Sequence, residues 1–262
     1  MIEIKAYDKI ALELPAAQAG ASKDLRDRFE TLALTIWEAY ELRGTAQTGA
    51  ASPPELVTAI GEFLTAFEKL DQEYGDDGAI FLEDINELVD YCLRCLAELR
   101  NWLPRLDLTS ATPALDSIII GSALWALRHE CEVATPEPVV NALAHSANEA
   151  KSKQELAAVY GLMQGLIEAV PAGLKGDLEK SNPQRPWRVL LINFAIVAVR
   201  TQDAAMMRHA FNTLGRHLPE QCPGFFAEAV EQAKHPAFSP EVAALLHAER
   251  AKWTTDLDFP LT

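Results

Sequence analysis

The chain has 262 residues, 49% hydrophobic and 23% charged, which is enough apolar material for a sizeable core and too much for a disordered segment. Its 38 acidic side chains against 23 basic ones leave a formal net charge of −15, which excludes nucleic acid and an anionic membrane as expected partners, because both demand a basic surface. The acid is concentrated: residues 51–100 carry 12 acidic and 3 basic side chains, or −9 of the total.

The N-terminal stretch MIEIKAYDKIALELPAAQAGA places Glu3, Asp8 and Glu13 where a secretory signal needs a continuous apolar centre, so a cytoplasmic address is expected. Residues 1–21 read as an arm. From Ser22, apolar residues at Leu25, Phe29, Leu32, Ile36 and Tyr40 mark one face of a first helix ending near Gly44. The run Ser52-Pro53-Pro54-Glu55 combines a capping serine, first-turn prolines and a glutamate three residues on, and opens a second helix with Leu56, Ile60, Leu64, Phe67 and Leu70 inward. A third helix follows Gly75 and Gly78 and carries Leu82, Ile85, Leu88, Val89, Cys92, Leu96 and Leu99 up to Pro104.

A fourth helix runs from Thr112-Pro113 to about Glu132, a fifth opens at Thr135-Pro136, and Ser152 with Glu155 caps a sixth that ends at Pro171. The irregular passage from Pro171 to Pro186 is the candidate boundary between helical hairpins in 22–171 and C-terminal hairpins in 184–254, although one continuous domain fits as well. Between Trp187 and Val199 only Arg188 and Asn193 are polar, so this run is expected to be the innermost helix, with Trp187, Leu190, Leu191, Phe194, Ile196 and Val197 buried, together with Phe211 beyond it. Its 13 or so residues fall short of the ~20 that span a bilayer. Three further helices are read from Gln202 to Leu218, Pro223 to Lys234 and Ser239 to Thr254. No segment reads as a sheet, and the expected class is all-α: antiparallel helical hairpins stacked as an α-α superhelix or an irregular bundle.

The C-terminal spacing resembles tetratricopeptide-type helical repeats, with Phe211 and Pro219 eight apart as that family's second-helix aromatic and closing proline are. Aligned on Pro219, Leu191 rather than Trp187 takes the early aromatic position. The resemblance implies a groove between hairpins that receives a peptide or a helix.

Cys92 and Cys95 have the spacing of redox and zinc sites, but three apart and well inside a helix both thiols can face the core, as can Cys131 and Cys222. None of the six histidines has a glutamate three residues before it, which disfavours a di-iron bundle; they read as solvated or cap residues, with His145 and Glu149 as a surface pair. No cofactor is expected and no catalytic residue can be named. The stretch AFEKLDQEYGDDGAIFLEDINELV looks like a degenerate EF-hand, in which Asp71, Glu73, Asp77 and Asp84 would be the calcium ligands. With Gly78 at the central position the third ligand position falls on Gly75, so the same acids read better as a cap on the third helix.

The expected function is a protein–protein interaction or scaffold module, leaning away from enzyme. An enzyme or small-ligand binder without a recognisable motif, and a divalent-cation module using residues 71–84, are the alternatives. The acidic segment prefers a basic protein or peptide, with Glu62, Asp76 and Glu87 as the expected partner surface.

Overall fold

The computed structural model describes residues 22–43, 51–75, 78–175 and 185–255, and among them there are 11 α-helices and no strand. They are α1 (Ser22–Arg43), α2 (Pro53–Tyr74), α3 (Ile85–Trp102), α4 (Thr112–Arg128), α5 (Glu137–Glu149), α6 (Lys153–Ala169), the single turn α7 (Ala172–Lys175), α8 (Pro186–Thr201), α9 (Ala204–His217), α10 (Cys222–Gln232) and α11 (Pro240–Thr255). The all-α class therefore stands. The arm at 1–21 lies outside the described residues.

Local chemistry sets most of these ends. The Glu55 carboxylate accepts from the Ser52 backbone N–H at 2.8 Å, and Ser152 Oγ accepts from the Glu155 N–H at 3.1 Å, so both capping signatures start helices. Three boundaries shift. Gln202 ends α8 in a left-handed conformation (φ 57), and Asp203 caps α9 by accepting from the N–H groups of Ala205 and Met206 at 2.8 and 2.9 Å. The third helix begins at Ile85, which leaves Leu82 exposed instead of on its apolar face. The fourth stops at Arg128 rather than near Glu132.

Helices α1 to α4 close into an antiparallel ring, each packing on the next and α4 returning to α1. Arg26 near the start of α1 pairs with Glu68 near the end of α2, and Trp102 at the end of α3 donates to the Ala51 carbonyl before α2 at 3.1 Å. Phe67 and Trp125 stack across the ring with centroids 3.9 Å apart. Helices α5 and α6 continue from α4, α8 packs on both, α9 packs on α8, and α10 pairs with α11. The buried apolar residues from Leu25 to Leu246 form one cluster.

The innermost helix is α4, not α8. Every residue from Leu115 to Leu127 is buried, because α1, α3, α5 and α6 surround it. Its stretch Thr109–Arg128 is long and apolar enough to cross a membrane, and 72% of that window is covered by the protein itself. Within α8, Trp187, Leu190, Leu191, Phe194 and Val197 are buried as expected, as is Phe211 in α9, but Ile196 is 42% exposed. Ile196 shares its side of α8 with the half-buried Asn193 and Arg200.

Candidate functional site

Two segments at one end of the α1–α4 ring, residues 78–84 and 129–136, are fastened to each other by a buried histidine. His129 follows the last turn of α4 and is 1% exposed. Its Nδ1 lies 2.8 Å from the Gly78 carbonyl and its Nε2 lies 2.8 Å from Asp71 Oδ1. The carbonyl and the carboxylate are both acceptors, so a ring nitrogen that carries a proton donates to the partner it faces. The His129 backbone carbonyl in turn accepts from the Ile80 N–H at 3.2 Å. Farther along the second turn, Asn86 Oδ1 accepts from the Glu132 N–H at 2.9 Å and Asp90 Oδ1 accepts from the Thr135 N–H at 2.7 Å.

Asp71 also accepts from the Trp125 indole N–H at 2.7 Å. Burial raises its pKa, but the hydrogen bonds from His129, Ser22 and Trp125 outweigh that and hold the carboxyl below its ordinary value. Asp90 shows the opposite balance: burial dominates over the bonds from the Thr135 and Ala134 segment and holds its carboxyl above the ordinary value.

This placement decides where the sequence-selected acids go. Asp71, the first residue of the EF-hand-like set, is turned inward as a hydrogen-bond partner of α4. Glu73 is exposed at the end of α2, and Asp84 is exposed at the start of α3, where its side chain makes no capping hydrogen bond. Asp77 and Asp76 lie outside the described residues. Glu62 and Glu87 are exposed on α2 and α3. Among the described residues no group of three or more His, Cys, Asp or Glu side chains is arranged to hold a metal ion.

Of the histidines expected to be solvated or cap residues, His129 is the C-cap of α4 and is buried. His145 Nδ1 meets Asp116 Oδ2 at 2.8 Å instead of pairing with Glu149. Arg100 Nε lies 2.9 Å from the other oxygen of Asp116, so that buried carboxylate joins α3, α4 and α5. No sequence signal marks either set, because their members are 16 to 58 residues apart. The four cysteines are free and buried, and burial, with the neighbouring Cys95 thiol adding to it, pushes the Cys92 thiol up to about 12. That environment opposes a reactive thiolate.

A second feature is an open cleft between α8 and α10, enclosing about 560 Å³ counted out to its mouth. Ile192, Ile196, Phe225 and Phe238 supply its apolar lining, with Arg200 and Glu228 among its polar groups. Arg200 is anchored by donating to the Ala147 carbonyl at 2.7 Å. Comparison of the chain with family models, with curated proteins and with solved structures returns no match.

Proposed function

We propose that this chain is a protein–protein interaction module whose α8–α10 cleft receives an apolar helix face or peptide side chains from a partner. The observation that carries this reading is Ile196: the one exposed residue of a helix whose other residues are buried or half-buried, it stands 42% exposed at the cleft between α8 and α10. Solvated aliphatic surface of this kind is stabilised when a partner covers it, by roughly 25 cal/mol for each Å² removed from water. The polar groups at the cleft include no nucleophile beside a base, which favours burial of apolar side chains over chemistry. The similarity of the C-terminal hairpins to tetratricopeptide-like repeats supports the same reading, since such hairpins bind through grooves. The net charge points to a basic partner.

Affinity purification from the source organism with wild-type and Ile196→Glu protein tests this. The reading expects a partner that the variant fails to capture, and a titration with that partner purified that shows the same loss. Full retention by the variant would remove the cleft from the binding surface.

A further inference from the structure

Four of the eight large apolar side chains exposed among the described residues fall within residues 74–91: Tyr74, Phe81, Leu82 and Tyr91. Phe81 is 91% exposed. The same end of the ring carries exposed Glu73, Glu83, Asp84 and Glu87, and the turn after α4 adds exposed Glu130 and Glu132. These last two are distant in sequence and are brought alongside by His129, by the Ile80 N–H bond to the His129 carbonyl and by the Asn86 bond to Glu132. On α3 the residues Glu87, Tyr91 and Arg94 follow at helical spacing, and the Arg94 guanidinium lies over the Tyr91 ring at 5.3 Å.

We propose that this end of the bundle is a docking surface for a basic amphipathic segment, rich in Lys or Arg and bearing apolar side chains on one face. The inference rests on the interaction-module reading but uses a surface separate from the cleft. Phe81 and Leu82 supply apolar anchors, and the surrounding carboxylates select the occupant. A neutral apolar partner would strip water from those carboxylates without pairing them. Nucleic acid, an anionic membrane and a second copy of this chain, each strongly negative, would be repelled. A basic segment satisfies both halves of the surface and is drawn in by the field of the acidic end. The hydrogen bonds that fix the two turns also hold the surface in place before binding, which lowers the ordering cost.

The probe is a fluorescein-labelled synthetic helix of about 18 residues, with leucine along one face and lysine elsewhere, beside a peptide of the same composition whose leucines are scrambled. Anisotropy is read with the full-length protein at about 0.1 M and about 1 M salt. The variants are Phe81→Ser with Leu82→Ser, Glu83→Lys with Glu87→Lys, and a distant pair, Glu149→Lys with Glu241→Lys, that changes the net charge equally. The first two pairs are expected to weaken binding of the amphipathic peptide about 10-fold or more, the distant pair less than about 2-fold, and scrambling the leucines about 10-fold. Ile196→Glu is expected to leave this binding unchanged. Equal losses from the distant pair, equal binding of the scrambled peptide, or no effect of Phe81 and Leu82 would reduce the effect to general charge attraction and overturn the proposal. Loss only in Ile196→Glu would place the peptide in the cleft, overturning this surface while keeping the cleft.

Discussion

The Asp71 carboxylate in α2 lies 2.8 Å from the His129 ring at the end of α4, across 58 residues of chain. Since the other ring nitrogen faces Gly78, this side chain joins α2, the α2–α3 turn and the end of α4, beside the bonds that Ile80, Asn86 and Asp90 make to the α4–α5 turn. His129→Ala leaves a largely buried carboxylate and a carbonyl short of their donor and is expected to cost about 2 to 4 kcal/mol. Urea denaturation measures the loss, and hydrogen exchange should show the Ile80 amide opening before the ring core. Wild-type protection at Ile80 would remove the fastening role.

Acid should weaken the same contact. The folded pKa of Asp71 lies below its ordinary value of 3.8, so its contribution is complete above the unfolded value and disappears as pH falls through the lowered folded one. Asp71→Asn is therefore expected to be less stable than wild type at neutral pH, with the gap closing as pH falls below the ordinary carboxylate value of 3.8. Asp90 works in the opposite sense: its raised pKa gives a contribution present below the unfolded value and lost as pH rises through the folded one. Comparing Asp71→Asn with wild type at each pH cancels that term. A gap that does not narrow at all on acidification below that value would contradict the assignment.

Helix α8 offers a paired test two residues apart. Phe194 is fully buried and stacked on Tyr160 at 4.4 Å, so Phe194→Ala should cost about 3 to 5 kcal/mol. Ile196→Ala, at the cleft, should cost less than about 1.5 kcal/mol. Equal losses would mean that the cleft side of α8 is covered.

Two helical glycines should respond with opposite signs. A Cβ at Gly61 meets nothing within 4 Å, and Gly61→Ala should stabilise by roughly 0.4 to 1 kcal/mol by restricting the unfolded chain. A Cβ at Gly215 would stand 2.7 Å from the Trp253 ring, so Gly215→Ala forces α9 from α11 and should cost about 1 to 3 kcal/mol. Thermal melts followed by Trp fluorescence read both.

Thiol chemistry gives a further expectation. With burial pushing the Cys92, Cys131 and Cys222 thiols up to about 12, alkylation of the native protein at mildly alkaline pH should be slow and should become fast in denaturant. Mass spectrometry of timed samples checks this. Rapid native labelling of Cys92 would contradict its buried setting.

Helix content, the Ser52 and Ser152 starts and the inward faces of α1 and α2 were legible from the sequence, because capping and periodicity act within a turn or two of the chain. The buried aromatic Phe194 was legible for the same reason. Where α8 meets water was not, since its apolar residues run all the way round and Ile196 differs in no way from its buried neighbours; only the gap between α8 and α10 exposes it. Leu82 was lost from the helical stripe because the chain ties down Ile80 through His129 before α3 begins. Asp71 looked like a surface ligand by composition and became a buried acceptor once α4 delivered Trp125 and His129 to it. The acidic end likewise gains Glu130 and Glu132 only when the ring closes. Local free energies chose the helices, whereas the partner of each buried polar group was set by whichever helix packing carried to it.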